Sequence, residues 1–258
     1  MGLEELTQVG VGFLAGAETI RKDRPTLIMI HGAGGCAQIW QNQIRPLNEV
    51  VNTLALDLPG HGETGGSGTP SIHSYAQWLG EIIENRLQTP VFLMGHSMGG
   101  AVVQESALQF PQLLKGIVLV STGLRLQVAP AFLDGFLNNF DQTIDMVMQF
   151  AYAPGADGTL VEQGAQLMKA AGKEVVHADF LACDRFDRRQ DMGGMDLPCA
   201  ILCGDQDKLT PPSLSEKLHH AIRGSSLTIV PSAGHMVMIE NHKAFNQEVS
   251  RFLSAHPH

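Results

Sequence analysis

The sequence predicts an α/β fold in which a mostly parallel central sheet carries helices on both faces. Three observations predict it: short, nearly all-apolar runs recur along the chain, amphipathic stretches separate them, and most runs end at Gly, Pro, Asp or Ser. A strand covered on both faces loses the in-and-out alternation of a half-exposed one. Short runs of Val, Ile and Leu therefore read as parallel strands.

The runs are Leu27–Ile30, Val51–Leu56, Val91–Met94, Gly116–Val120, Ala200–Cys203 and Leu227–Val230. Ahead of them, Gly10–Ala15 fits the dinucleotide pattern G-x-G-x-x-A. No buried strand leads into it, no helix follows, and no acid closes a second strand about 20 residues on, so it reads as edge strand with a turn. Helices are expected over Cys36–Leu47, Ser71–Leu87, Met98–Phe110, Ser213–Ile222 and Lys243–Leu253. Ser71 and Ser74 are both suitable caps for the second, which places Ile72, Tyr75, Leu79, Ile82 and Ile83 on one stripe. The third stops before Pro111, which cannot donate to a helix. Alternation of strand and helix implies right-handed crossovers.

Residues 124–194 break this rhythm. They hold helical stripes (Phe132, Leu133, Phe136, Leu137 and Phe140; Ile144, Val147 and Met148; Leu160, Val161, Leu167 and Met168) and no strand-like run. They read as a helical cap over the sheet edge. The chain then divides into an N-terminal core segment over residues 1–123, the cap over residues 124–194 and a C-terminal core segment over residues 195–258.

The chain has 258 residues, 44% apolar and 17% charged, with 26 acidic side chains against 17 Lys and Arg and a formal charge of −9. This is globular composition, and its acidic balance disfavours nucleic acid and anionic membranes as partners. No apolar run approaches the roughly 18–20 residues that cross a bilayer, and the first residues lack the basic-then-apolar pattern of a secretory signal. Cys36, Cys183, Cys199 and Cys203 are too few for a disulfide framework and read as reduced thiols of a cytoplasmic protein. No metal set is expected: Cys199 and Cys203 share one face of a short strand, but no second pair completes a tetrahedron. His219, His220, His242, His256 and His258 read as solvated.

Gly95-His96-Ser97-Met98-Gly99 matches G-x-S-x-G, preceded by an apolar strand and opening a helix, the context this motif requires. So sharp a turn leaves no room for side chains at Gly95 or Gly99 and lifts the Ser97 oxygen above the sheet. Serine needs a base, and the base needs a third group to orient it. In the chain order Ser, acid, His, the candidates are Asp205 or Asp207 in Gly204-Asp205-Gln206-Asp207, and His235 after Leu227–Val230.

With His31-Gly32-Ala33-Gly34-Gly35 and Asp57-Leu58-Pro59-Gly60-His61-Gly62, these motifs resemble the α/β-hydrolase superfamily over essentially the whole chain, in particular its small capped esterase, perhydrolase and C–C hydrolase members. The resemblance implies the α/β-hydrolase fold and Asp207 as the acid, with Asp205 as rival. It implies an oxyanion hole from the N–H of Met98 and that of Ala33, with Gly34 as alternative donor. Gly32, Gly34 and Met236 would contact substrate; no cofactor is implied. The expected function is hydrolysis of small to medium uncharged carboxylic esters through an acyl-enzyme, in which Ser97 attacks, His235 takes the proton and Asp207 orients the imidazole. The same residues also suit C–C, thioester or perhydrolase chemistry and carrier-protein methyl esters. The cap bears on the last, because its six basic and ten acidic residues give −4, the wrong sign for an acidic partner. A ligand-binding protein that keeps the fold without turnover is the reading from another class. Oligomeric state is not legible.

Overall fold

The computed structural model describes residues 3–87 and 89–256. Seven strands form one sheet among them: β1 (Phe13–Ala15), β2 (Thr26–Ile30), β3 (Asn52–Leu56), β4 (Val91–His96), β5 (Leu114–Val120), β6 (Cys199–Gly204) and β7 (Ser226–Val230). Their order is β1-β3-β2-β4-β5-β6-β7. Only β1 runs antiparallel, pairing Phe13 with Leu56; every other neighbour is parallel. The helices are α1 (Glu4–Gln8), α2 (Gln41–Leu47), α3 (Ile72–Arg86), α4 (Met98–Gln109), α5 (Pro130–Asn138), α6 (Phe140–Ala151), α7 (Gly158–Ala171), α8 (Lys173–Arg185), α9 (Pro212–Ala221), α10 (Val237–Glu240) and α11 (His242–Ala255).

The central strands show why their sequences are mostly apolar. All five residues of β2 are buried. Ile28 and Ile30 join the apolar cluster beneath α3 and α4, while Leu27 and Met29 join the cluster beneath α2 and α11. A polar side chain at either parity would lose its water. The expected stripe of α3 is buried throughout, and the Ser71 hydroxyl caps the helix by accepting from Ser74 N–H at 3.2 Å. Gly10–Ala15 supplies the edge strand β1, in line with its reading as a strand rather than a nucleotide loop.

Several expectations need correction. Leu227–Val230 is not buried on both faces: Ser226 and Ile229 of β7 are exposed, because this is the terminal strand and pairs only with β6. The stretch Cys36–Leu47 is not one helix but a 3₁₀ turn, Ala37–Trp40, leading into α2; Asp57 Oδ1 takes the Ala37 N–H at 2.6 Å. His242 and His256 are half-buried, the latter packed on Phe252, and His258 lies outside the described residues.

Four helices, α5 to α8, lie between β5 and β6 and share a third apolar cluster that includes Phe136, Ile144, Val147, Met148, Tyr152 and Val176. The expected stripes end at Met168, so α8 is a helix they do not separately predict. A buried acid, Asp179, interrupts its apolar face. The order of strands reverses around β2, because β3 lies on one side and β4 on the other. In open parallel sheets the crevice at such a point, beyond the carboxyl ends of the strands, is where sites form.

Candidate active site

Ser97 alone makes the turn from β4 into α4, with φ 54° and ψ −116°. Such a backbone costs on the order of 1–3 kcal/mol at a residue with a side chain. The surroundings hold it there. Ser97 N–H donates to Val120 O at 2.9 Å, and the Thr122 hydroxyl donates to Ser97 O at 2.9 Å. The flanking glycines are steric necessities. A Cβ on Gly95 would strike the Gly99 carbonyl, and one on Gly99 would strike the carbonyls of Ile30 and His31.

The loop after β7 presents His235. Its N–H donates to Ala151 O at the end of α6, at 2.8 Å. Glu240 secures the same loop: Oε1 accepts from Gly234 N–H at 2.9 Å and Oε2 from Ala153 N–H at 2.8 Å. His235 Nδ1 lies 2.9 Å from Asp207 Oδ2. The Asp207 carboxylate also accepts from the N–H groups of Leu209 and Thr210 on Oδ1 and from the Thr210 hydroxyl on Oδ2. Burial opposes its charge, but His235 and the Thr210 donors outweigh that, and Asp207 titrates below the ordinary aspartate range. Asp205 is exposed and reaches across to the loop after β7, accepting from Ala233 N–H at 3.2 Å, and does not touch the imidazole. Between the two acids left open by the sequence, Asp207 is the one that touches the imidazole.

Ser97 and His235 line one cavity of about 1180 Å³. Among the described residues the side-chain hydrogen bonds of His235 run to Asp207 and Thr210 and not to Ser97. In unliganded sites that last bond is often long and tightens when substrate arrives. His96 packs on His235 with ring centroids 4.6 Å apart, and its Nε2 donates to His235 O at 3.0 Å. Burial, then the neighbouring His235, push the His96 pKa down to about 3, so its ring stays neutral.

Gly32, Ala33, Gly34 and Met236 all line the cavity. The Met98 side chain is wholly buried in the core, and its N–H opens α4. Among the described residues neither the Ala33 nor the Met98 N–H has an intramolecular acceptor. Gly34 differs: its N–H is engaged, donating to Asp179 Oδ2 at 2.8 Å. The aromatic and methionine residues of the insertion divide. Phe132, Met148, Phe150 and Met168 line the cavity, Phe136 and Phe140 pack the helices together, and Met146 is exposed. Met238, three residues after His235, lies in the core.

Sequence reasoning missed Thr210, Glu240 and Asp179. The first had a legible signal, an Asp followed three residues later by Thr in a strand-to-helix loop. The ties of the other two to the insertion and to the turn after β2 span 87 and 145 residues, which no local pattern reveals.

The sequence profile of the alpha/beta hydrolase family matches residues 27–248. The chain belongs to that family. The order of strands and the strained turn at Ser97 are thus those of an α/β-hydrolase fold. This α/β hydrolase is 33% identical to a solved thermophilic esterase, covering 95% of this chain and 93% of that one with a TM-score of 0.84. It is 25% identical over 243 residues to a pimeloyl-[acyl-carrier protein] methyl ester esterase of Neisseria meningitidis serogroup C, covering 87% of this chain and 93% of the relative. An enol-lactonase of Burkholderia xenovorans, 19% identical with a TM-score of 0.86 over 95% of this chain and 96% of its own, shares the fold. No helix among the described residues is long and apolar enough to cross a membrane.

Proposed function

We propose that this α/β hydrolase is a serine esterase acting on uncharged carboxylic esters of small to medium size. The observation that carries the reading is the 2.9 Å contact of His235 with Asp207 inside the cavity that Ser97 also lines. Ser97 Oγ attacks the ester carbonyl as His235 Nε2 takes its proton. Asp207, charged and held by four donors, keeps the other imidazole proton on Nδ1 and stabilises the imidazolium. The free N–H groups of Ala33 and Met98 donate to the developing oxyanion, each worth about 2.7–4 kcal/mol in comparable sites. His235 returns its proton to the departing alcohol, leaving an acyl-enzyme, then draws a proton from water to hydrolyse it. Every step uses groups of the chain and water.

The lining supports this substrate class. Phe132, Met148, Leu160, Met168, Phe180 and Met236 present apolar, adaptable surface to the cavity. A panel of aryl esters of rising acyl length, with strongly anionic esters as contrast, tests it. The reading expects the uncharged members to be preferred, and equal or better turnover of the anionic esters contradicts it. Including a thioester and a vinylogous diketone in the panel separates ester hydrolysis from thioester and C–C cleavage by the same residues.

The name of the Neisseria relative favours a second reading, a methyl ester carried on an acidic protein. Charge speaks against it. Three of the four arginines of the insertion face acids, Arg125 and Arg189 on Asp187 at 3.9 and 2.6 Å and Arg188 on Glu105 at 2.6 Å, and exposed Arg185 adds a single positive charge to a net acidic segment. Faster cleavage of a carrier-bound methyl ester than of the same ester free in solution would establish this second reading.

A further inference from the structure

We propose that Asp179 of α8 is a positioning residue for the oxyanion turn, holding the Gly34 N–H so that the adjacent Ala33 N–H is the one left for the substrate oxygen. The inference rests on the serine-esterase reading above.

Asp179 is wholly buried, and three donors from three separate segments converge on it. Its Oδ2 accepts from Gly34 N–H and from His61 Nε2, each at 2.8 Å, and its Oδ1 accepts from the Tyr75 hydroxyl at 2.8 Å. Burying a carboxylate costs several kcal/mol unless its partners are well placed, so packing alone would favour an apolar residue on this face of α8. Here the acid joins the insertion to the turn after β2, the loop after β3 and helix α3.

The position of Gly34 makes the bond consequential. Its φ is +61°, and a Cβ there would come within 2.8 Å of Met168 Cγ and 3.0 Å of Val176 Cγ2. Helices α7 and α8 thus close on the turn from one side, and the carboxylate fixes its peptide plane. Gly34 and Ala33 contribute consecutive amides to this turn. With one tethered, the other has a defined direction, which is what a preorganised oxyanion donor requires.

The charge of Asp179 would oppose a nearby oxyanion if it stood alone. His61 offsets it. Burial works against a charged His61, but the hydrogen bond and charge of Asp179 prevail, and the His61 pKa lies above the ordinary histidine value. His31, with its ring 4.7 Å from that of His61, is held well below that value by burial and by His61, and stays neutral.

The test compares full-length S97A, D179N, Y75F and D184N for kcat and KM on a short-chain aryl ester, for affinity to a trifluoromethyl ketone that forms a tetrahedral oxyanion adduct, and for Tm. D179N should lose kcat ~10–100-fold with KM changed less than about threefold, and weaken the ketone by a matching factor. Y75F, which removes one donor and leaves the carboxylate, should move the same way by less. D184N is the control on the same helix, since Asp184 only accepts from Val128 N–H at 3.1 Å; it should keep wild-type kcat. Wild-type kcat and ketone affinity in folded D179N would overturn the proposal, as would losses in D179N and D184N that simply track Tm. If D179N does not fold, Y75F decides by the same criteria. An active S97A would defeat the serine-esterase reading itself, whereas an inactive S97A beside an unimpaired D179N defeats this inference alone.

Discussion

Asp207 Oδ2 stands 2.9 Å from His235 Nδ1, and the same carboxylate is held by three donors from Leu209 and Thr210. A ring so held can present only Nε2 to Ser97. Replacing Asp207 by Asn keeps the shape and offers an N–H where a lone pair is needed, so the imidazole turns to the wrong tautomer. D207N should lower kcat by about 10⁴ at neutral pH with a smaller change in KM. D205N should leave kcat close to wild type, because Asp205 does not touch the imidazole and Asn keeps an oxygen that can accept from Ala233 N–H. Steady-state kinetics of the two variants measure the contrast, and a larger loss in D205N would reverse the assignment.

Thr210 is the bridge that local pattern reading passes over. Its hydroxyl donates to Asp207 Oδ2 at 2.8 Å and lies 3.0 Å from His235 Nδ1. Thr210→Val keeps the shape and removes a hydrogen bond to a buried charge, a loss of about 1.5–3 kcal/mol. Denaturant unfolding should show that loss. The variant's kcat should fall far less than in D207N, because the two backbone amides still hold the carboxylate.

Glu240 couples the insertion to the base. One oxygen accepts from Ala153 N–H and the other from Gly234 N–H, the residue before His235. Gln offers one acceptor in place of two, so E240Q leaves one partly buried amide unpaired. A stability loss of about 1–3 kcal/mol is expected. A fall in kcat/KM should accompany it, as the His235 loop and the end of α6 loosen together. Unchanged Tm and kinetics would show that the tie contributes nothing.

The Asp179–His61 pair sets a pH dependence of stability. The folded pKa of His61 is raised above 6.5. Between the unfolded and folded values the native state therefore binds more protons than the unfolded one, and stability falls as pH rises. The contribution is complete below about pH 6.5 and lost as pH climbs through the folded value. Buried, neutral His31 and His96 act in the opposite sense up to about pH 6.5, so the wild-type curve is read against H61Q: the Tm advantage of the wild type over H61Q should be greatest near about pH 6 and shrink as pH rises. Parallel curves for the two proteins would remove His61 as the source.

Legibility in the sequence follows the range of the interaction. The strands of the sheet centre and their helices are readable because burial on two faces writes itself into consecutive residues, as in β2, where neighbours face opposite clusters. The turn at Ser97 is readable because backbone strain demands glycine at two fixed neighbours, Gly95 and Gly99. The edge strand β7 misleads because its composition resembles a central strand while its place in the sheet, set by topology, leaves Ile229 in water. Helix α8 is hard to resolve because Asp179 breaks its apolar stripe. That break has a cause, since the acid meets Gly34, His61 and Tyr75, but the partners lie 104 to 145 residues away. The choice between Asp205 and Asp207 is of the same kind, decided by which carboxylate the loop turns toward His235.

The most direct measurement of the central claim is stoichiometric reaction with an aryl phosphonate, followed by intact-mass and peptide analysis alongside ester turnover. The account predicts one phosphonyl group per chain, carried on Ser97, with esterase activity lost in proportion to labelling and no labelling of S97A. Complete labelling with turnover intact, or a label on any other residue of the wild-type enzyme, would contradict it.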